Sequence, residues 1–310
     1  MSRVALGLPE KGFGMKVTRL AAVLAAATLL AHATLASARL VEEKHWLPVK
    51  VQDSHGNDLE RQIMVTVFYD DDVPKPYPVV IINHGRAVSA SDRAALGRAQ
   101  YSVASQWFTQ MGFIVAVPTR IGYGVTGGRD VEYTGECNSK YYPPGYVASA
   151  AQTLQVLDFL RARDDVDKAR TVIVGQSFGG ATSITVAAMN PPGVQMAINF
   201  AGGGGGDPKG RPQDPCGPSL LKKMFADYGK TARIPTLWIY TENDMYFGPK
   251  LPKTWFDAFK AEGGVGEYEL YPALGDNGHG LFTMAPDLWK PRVLAFMRAN
   301  GYPDLKAPAK

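Results

Sequence analysis

The sequence predicts an α/β fold, in which a mostly parallel, twisted sheet carries helices on both faces. Three observations indicate this fold. Continuous runs rich in Val and Ile, bounded by Gly or Pro, are typical of strands buried on both faces. Helical stretches alternate with these runs along the chain, as parallel strands require. One run leads into a lone serine between glycines, in the segment IVGQSFGGA at 173–181.

The N-terminal segment, residues 1–38, is predicted to be a secretory signal peptide. Lys16 and Arg19 form a positive region, an apolar stretch follows at 20–30, and Ala-Ser-Ala at 36–38 offers small residues for cleavage. The apolar stretch is too short to span a bilayer, and an uncleaved anchor is the alternative. We therefore expect an exported protein, periplasmic or secreted, with no membrane association after cleavage.

The rest of the chain is nearly neutral. The 310 residues carry a net charge of +4, but four of the 33 Lys and Arg and one of the 29 Asp and Glu lie in 1–38, which leaves about +1. No basic run indicates nucleic-acid binding, and no Cys/His spacing indicates a metal site. We expect neither metal nor cofactor. In an exported chain, Cys137 and Cys216 suggest one disulfide, with two free thiols as the alternative.

Residues 39–310 are predicted to form a single domain. An alternating segment and six buried runs predict its strands, and six windows predict its helices. The strands are expected at 63–69, 78–85, 113–120, 170–177, 194–202, 234–244 and 268–274. The helices are expected at about 91–111, 146–163, 178–189, 219–228, 253–262 and 286–299.

Two insertions without periodicity interrupt this pattern, at about 120–146 and 202–218. Long connections of this kind in a compact domain are usually functional loops or disorder. Both follow a parallel strand, so they are expected at the carboxyl edge of the sheet, where α/β proteins bind ligands. Cys137 lies in the first insertion and Cys216 in the second. A disulfide between them would tie together two sides of the rim of the site.

The segment Gly175-Gln176-Ser177-Phe178-Gly179 has the G-x-S-x-G pattern of a nucleophile elbow. Between a strand and a helix, the chain must reverse within a few residues, so the neighbours of the serine must be small. The helix that follows directs its free N–H groups toward the hydroxyl. The pattern therefore predicts that Ser177 is a nucleophile, and a serine that only caps the helix is the alternative.

A serine nucleophile needs a base and an acid, and His279 and Asp244 are the best candidates. His279 lies in a glycine-rich loop, GDNGHGLF, between the last strand and the last helix. Asp244 ends a buried strand, and it lies between Ser177 and His279 in the order expected for this chemistry. Glu242 is its rival, whereas Asp276 is expected to form part of the loop.

The oxyanion is expected to bind to the backbone N–H of Phe178 and to that of Arg86, with Ala87 as a neighbouring possibility for the second donor. Gly85 allows the sharp turn that directs the N–H of Arg86 into the site. We expect His84 to hold this loop by hydrogen bonds rather than to take part in the reaction.

Taken together, these segments resemble the α/β-hydrolase superfamily, and most of all its exported dienelactone-hydrolase-like and prolyl-oligopeptidase-like serine hydrolases. The resemblance rests on five segments in family order: INHG at 82–85, RIGYGVTGG at 120–128, GQSFGG at 175–180, TENDMYF at 241–247 and NGHGLF at 277–282. It implies the α/β-hydrolase fold and hydrolytic activity. Dienelactone hydrolase itself is similar but has cysteine where this chain has Ser177, so opening of that lactone is not expected.

The predicted function is hydrolysis of small carboxylic esters through a Ser-His-Asp triad and an acyl-enzyme. A peptidase or amidase of the same fold, or a binding protein without catalysis, are the alternatives. Tyr123, Tyr246 and Phe247 are expected to contribute to an aromatic wall for the substrate, although tyrosines that merely pack the insertion are an equal possibility. The sequence does not indicate an oligomeric state.

Overall fold

The structure is a computed structural model that describes residues 40–308, together with Met1, Ser2 and Gly7. Contacts divide the chain into two units, Met1–Ala38 and Arg39–Lys310. The predicted signal peptide lies almost wholly outside the described residues, so the structure does not test it and it stays a prediction.

Eight strands form one sheet in the order β1-β2-β4-β3-β5-β6-β7-β8. The first two strands and the pair β2 and β4 run antiparallel, and all other neighbours run parallel. The strands are β1 (Leu40–Gln52), β2 (Asp58–Asp70), β3 (Tyr77–Asn83), β4 (Ile114–Thr119), β5 (Val166–Gln176), β6 (Val194–Phe200), β7 (Thr236–Thr241) and β8 (Gly266–Tyr271). The mostly parallel sheet of the sequence prediction is thereby confirmed.

Helices connect the parallel strands, as crossovers between them require. Three of them begin with a proline in the first turn, Pro143, Pro218 or Pro286, where its fixed φ angle and missing N–H cost nothing. The helices are α1 (Ala90–Ala94), α2 (Ser102–Gln110), α3 (Pro143–Arg161), α4 (Phe178–Met189), α5 (Pro218–Thr231), α6 (Lys250–Ala261), α7 (Leu281–Met284) and α8 (Pro286–Ala299). Short 3-10 turns lie at Cys137–Ser139 and Gly278–Gly280.

The central strands are buried on both faces, which explains their continuous apolar runs. In β5, Val172 and Val174 pack with α2 and α8 on one face, whereas Ile173 packs with α3 on the other. A third cluster, which includes Trp238 and Trp255, joins β7 to α4, α5 and α6. Helices therefore cover both faces of the sheet.

Two elements differ from the sequence-based expectation. Strand β1 was not expected, because alternate residues along it are exposed and it lacks a continuous apolar run. It pairs only with β2, at the edge of the sheet. The helix expected at about 91–111 is divided into α1 and α2. Gly97 and Tyr101, both with positive φ angles, lie in the break, and an α-helix cannot continue through such residues.

The fold places the loops that follow β3, β5 and β7 at one edge of the sheet, because parallel strands all end there. His84 to Arg86 follow β3, Ser177 follows β5, and Asp244 follows β7 by three residues. The two insertions follow β4 and β6 at the same edge. The candidate residues are therefore brought together by topology.

Within residues 40–308, no helix has the combination of length and apolar character that a bilayer-spanning segment needs.

Leu237 provides a test of the core. Its side chain is fully buried in β7, so Leu237→Ala removes contacts that the surrounding strands cannot replace and should lower the free energy of unfolding by about 2–5 kcal/mol. Leu288→Ala, at a half-exposed position of α8, is the matched control and should change it by less than about 1 kcal/mol. Urea denaturation measures both, and equal effects would contradict the assignment of β7 to the core.

Candidate active site

Ser177 lies at the turn between β5 and α4 with φ 56° and ψ −122°, a conformation that is rare for residues other than glycine. Hydrogen bonds hold the turn in this state. The N–H of Ser177 donates to the carbonyl of Phe200 over 2.8 Å, and its carbonyl accepts from the N–H groups of Ala181 and Gly203. Strain of this kind persists where surrounding contacts enforce it, often at functional sites.

The glycines on either side of Ser177 are required by close backbone contacts. A Cβ atom on Gly175 would lie 2.0 Å from the carbonyl oxygen of Gly179, and one on Gly179 would lie 2.1 Å from that of Asn83. Both obstacles are backbone atoms, which cannot move aside as a flexible side chain can. The turn therefore explains why small residues stand two positions before and two positions after the serine.

Asp244 and His279 are in direct contact, although 35 residues separate them. The Nδ1 atom of the imidazole lies 2.9 Å from Oδ2 and 3.0 Å from Oδ1 of Asp244. The carboxylate is fully buried, and its Oδ1 also accepts from the N–H groups of Tyr246 and Phe247. An Nδ1–H that donates to this carboxylate leaves Nε2 without a proton, as a base requires.

The loop that carries His279 is held by side chains that the sequence analysis did not single out. Oδ1 of Asn277 accepts from the N–H of His279 and from that of Met245, so one amide joins the histidine loop to the aspartate loop. The ring of Tyr246 stacks on the imidazole with 3.9 Å between ring centroids. These contacts fix the orientation of the imidazole plane.

The two other carboxylates considered as partners of the histidine lie outside this contact. Glu242 and Asp276 are both exposed, and neither forms a hydrogen bond with His279. Extended geometry placed Glu242 on the same side as Asp244, but the chain turns directly after β7 and separates them.

Ser177 lies between two cavities. The first, here called the histidine cavity, has a volume of about 440 Å³ and is lined by Ser177, His279, Gly85, Tyr101 and Gln176, among others. The second, the rim cavity, has a volume of about 320 Å³ and is lined by Ser177, Phe178 and residues of both insertions. Within the described residues, Oγ of Ser177 forms no hydrogen bond, and Ser177 and His279 line the same cavity.

The loop after β3 is fixed by His84, which is buried and bonded to backbone groups at both nitrogens. Nδ1–H donates to the carbonyl of Gly85 over 2.7 Å, and Nε2 accepts from the N–H of Arg120 over 3.2 Å. The carbonyl of Gly85 and the N–H of Arg86 belong to one trans peptide, so they point in opposite directions. The N–H of Arg86 has no acceptor among the described residues.

Below this loop lies a buried ion pair. Arg120 and Glu132 are both fully buried and bonded through Nε and Nη2, and Tyr123 donates to Glu132 over 2.6 Å. Burial raises the pKa of Tyr123, and the charge of Glu132 raises it further. Arg86 pairs with Asp130 close by. Charged groups of the first insertion thus support the loop after β3.

A further residue that the sequence analysis missed is Tyr101. Its hydroxyl accepts from the N–H of Gly85 over 3.4 Å and donates to Oε1 of Gln176 over 3.1 Å. Nε2 of Gln176 in turn donates to the carbonyl of His279. This chain of hydrogen bonds links the loop after β3, the serine turn and the histidine loop. A tyrosine in a break between helices gives no sequence signal of such a role.

The expected aromatic wall is only partly present. Tyr246 and Phe247 line the rim cavity. Tyr123 does not line either cavity, since its ring is buried and its hydroxyl donates to Glu132, so that expectation is corrected. Tyr146 stacks on Phe178 with 4.2 Å between centroids and packs the insertion onto the body.

Cys137 and Cys216 are joined in a disulfide, so the two insertions are linked across 79 residues. Both cysteines line the rim cavity. The hydroxyl of Tyr142 also donates to the carbonyl of Cys216. The rim is therefore held by a covalent bond and by a hydrogen bond.

Potential metal ligands do not converge at Ser177. Within the described chain, the cluster of acidic groups close enough to share an ion is Asp70 to Asp72, and these residues line neither cavity.

Comparison with known proteins identifies a matching family. A family model described as "Putative esterase" matches residues 56–240, which is more than half of the chain. Searched against curated proteins, the chain has no significant match.

Solved structures of low sequence identity share the fold. An acetyl xylan esterase from Paenibacillus sp. R4 is 18% identical, with a TM-score of 0.56 over 94% of this chain and 96% of that one. An esterase from Pyrococcus furiosus is 13% identical, with a TM-score of 0.52 over 83% and 90%. An acylaminoacyl peptidase from Pyrococcus horikoshii is 16% identical, with a TM-score of 0.58 over 87% of this chain but 42% of that one.

Removal of one partner from the buried ion pair should strongly destabilise the protein. Glu132→Gln leaves the charge of Arg120 buried without compensation, so the free energy of unfolding should fall by about 3–5 kcal/mol. Asp257→Asn breaks an exposed ion pair with Lys253 and should cost less than about 1 kcal/mol. Urea denaturation of both variants measures the difference. If Glu132→Gln lowers the free energy of unfolding no more than Asp257→Asn does, the buried pair is not important for stability.

His84 should make stability depend on pH. Burial, and then the charge of Arg120, hold the pKa of His84 well below its usual 6.5. The folded protein therefore keeps this ring neutral, whereas the unfolded chain binds a proton below about pH 6.5. Stability should be fully present above that pH and should fall below it by about 1.4 kcal/mol per pH unit.

The variant His84→Gln removes this titration. Urea denaturation near pH 7.5 and near pH 5.5 should give a smaller loss of stability in the variant than in the unsubstituted protein, by about 1.4 kcal/mol. If both proteins lose the same stability, His84 is not the group responsible.

Proposed function

The chain belongs to the family described as "Putative esterase", and on that premise we propose that it hydrolyses carboxylic esters with Ser177 as nucleophile, His279 as base and Asp244 as the acid that orients the base. The observation that supports this proposal most strongly is the contact of His279 with buried Asp244, at a cavity that Ser177 also lines. The serine itself lies on a strained turn between a strand and a helix.

In the proposed first step, Nε2 of His279 takes the proton of Ser177 as Oγ attacks the ester carbonyl. Because Nδ1–H of the imidazole donates to Asp244 over 2.9 Å, the carboxylate holds the reactive tautomer and stabilises the imidazolium that forms. Apo geometries of serine and base are often looser than those in a reacting complex. The proposal requires Oγ of Ser177 to come within hydrogen-bond distance of Nε2 of His279 in the reacting complex.

The negative charge on the carbonyl oxygen would bind to the N–H groups of Phe178 and Arg86. Phe178 is the first residue of α4, where backbone donors have no partner within the helix. The N–H of Arg86 is directed away from the carbonyl that His84 holds. Two such preorganised donors supply a large share of the stabilisation of a transition state.

In the second half of the reaction, the imidazolium gives its proton to the leaving alcohol, and water then attacks the acyl-enzyme with His279 again as base. The alcohol must therefore leave on the side of His279, in the histidine cavity, while the acyl group lies toward the rim cavity. Tyr246 and Phe247, which line the rim cavity, are the proposed aromatic contacts of the acyl group. No step of this reaction calls for a cofactor.

We also propose that residues 39–310 are the exported, mature domain. The disulfide between Cys137 and Cys216 supports export, because such bonds persist in oxidising compartments. A small ester is the proposed partner, and the charge pattern of the chain favours neither nucleic acid nor membrane.

The triad can be tested by substitution. Ser177→Ala and Asp244→Asn should each lower kcat for a p-nitrophenyl ester by about 10⁴-fold or more, because triad members act as a unit. Glu242→Gln, two residues from Asp244 and exposed, should keep the unsubstituted rate and is the matched control. Steady-state kinetics and covalent labelling by a fluorophosphonate provide the measurement.

Turnover that survives Ser177→Ala, or labelling that persists in it, would refute the proposed nucleophile. Labelling of the unsubstituted protein without turnover of any ester, together with cleavage of peptides, would favour the amidase alternative. No labelling at all would favour a binding protein.

A further inference from the structure

Many of the residues that line the rim cavity are charged, which an aromatic wall for the substrate does not explain. Four cations and three carboxylates surround it, so the lining carries one net positive charge at neutral pH. The cations are Arg86, Arg93, Lys140 and Arg211. The carboxylates are Asp130, Glu136 and Asp207.

The ion pairs within this lining leave two cations over. Asp130 is shared by Arg86 and by Arg93, which lies 3.2 Å away. Among the described residues, neither Lys140 nor Arg211 has a carboxylate within ion-pair distance. Lys140 donates to Thr134 and to a backbone carbonyl, and Arg211 contacts the sulfur of Cys137.

The two carboxylates without a cation are engaged or exposed. Glu136 lies at the exposed rim and accepts from the hydroxyl of Tyr133. Asp207 accepts from the backbone N–H groups of Lys209 and Gly210 within its own loop. These two carboxylates therefore already have partners within the protein, whereas Lys140 and Arg211 line the cavity without a carboxylate partner among the described residues.

Lys140 and Arg211 also lie close enough for their positive charges to repel one another. Burial is the main cause that lowers the pKa of Lys140, and the charges of Arg86 and Arg211 lower it further, against smaller opposing effects that include the charge of Glu136. An anion bound between these cations would relieve their repulsion.

The second insertion adds neutral donors to the same wall. The glycines at 204–206 line the rim cavity, and their three N–H groups have no acceptor among the described residues. Gly205 has a φ angle of 74°, which turns the loop as only glycine does readily. Successive backbone N–H groups in such a turn form a concavity that favours anions.

We propose that the rim cavity binds acyl groups that end in a carboxylate, so that the preferred substrates are half-esters of dicarboxylic acids. This inference rests on the proposed function, because the position of His279 assigns the alcohol to the other cavity. Lys140, Arg211 and the N–H groups of the glycine loop bind the distal carboxylate, while Ser177 attacks the ester carbonyl at the other end.

The test compares monomethyl with dimethyl esters of succinate, glutarate and adipate, at low and at high salt. The half-ester should be preferred in kcat/KM by about tenfold or more at the best chain length, since hydrogen bonds to charged groups contribute more than neutral ones. High salt should reduce this preference by screening. Lys140→Gln and Arg211→Gln should each reduce this preference, because kcat/KM should fall more for the half-ester than for the diester.

Lys209→Gln is the matched control, because it removes one positive charge from the same loop at an exposed position that does not line the cavity. It should leave the preference intact. The inference is overturned if no half-ester is preferred, if the two variants keep the preference, or if they slow the diester as much as the half-ester.

These outcomes are distinguishable from failure of the proposed function. Diester hydrolysis that depends on Ser177 but shows no preference for a half-ester would refute this inference alone. Diester hydrolysis that survives Ser177→Ala would refute the proposed nucleophile instead.

Discussion

The candidate site depends on one steric constraint, the reversal of the chain between β5 and α4. The carbonyl of Gly179 leaves no room for a side chain at Gly175, and the carbonyl of Asn83 leaves none at Gly179. This close approach forces Ser177 into a positive φ angle and presents its hydroxyl above the edge of the sheet. It also brings the first turn of α4 against the loop after β3. The same close contact therefore positions the nucleophile and both proposed oxyanion donors.

Around that turn, most of the positioning is done by neutral hydrogen-bonding side chains. Asn277 ties together the loops of the acid and the base, Tyr101 and Gln176 join the loop after β3 to the histidine loop, and His84 holds a peptide plane. The buried charges of Arg120 and Glu132 lie one layer below. An imidazole supported from several sides loses little conformational freedom when a substrate binds, which is the benefit of preorganisation.

The sequence allowed prediction of those parts of the molecule in which local pattern and tertiary role agree. The buried parallel strands carry continuous apolar runs, and the elbow requires glycines at fixed positions, so both were found. Strand β1 was missed because an edge strand with one exposed side has no such run. Tyr123 does not belong to the aromatic wall, and sequence does not distinguish a tyrosine that faces substrate from one whose hydroxyl donates to a buried carboxylate. Asn277 and Tyr101 act through contacts across long sequence separations, which no local pattern records.

The disulfide between the two insertions has a consequence for how such a protein can diversify. Cys137 and Cys216 join loop to loop, not loop to sheet. The bond therefore fixes the exposed parts of the two loops relative to one another, whereas the buried part of the first loop is held separately by the pair of Arg120 with Glu132. Substitutions at the exposed positions of either loop can then alter the rim while the disulfide keeps the two loops in place.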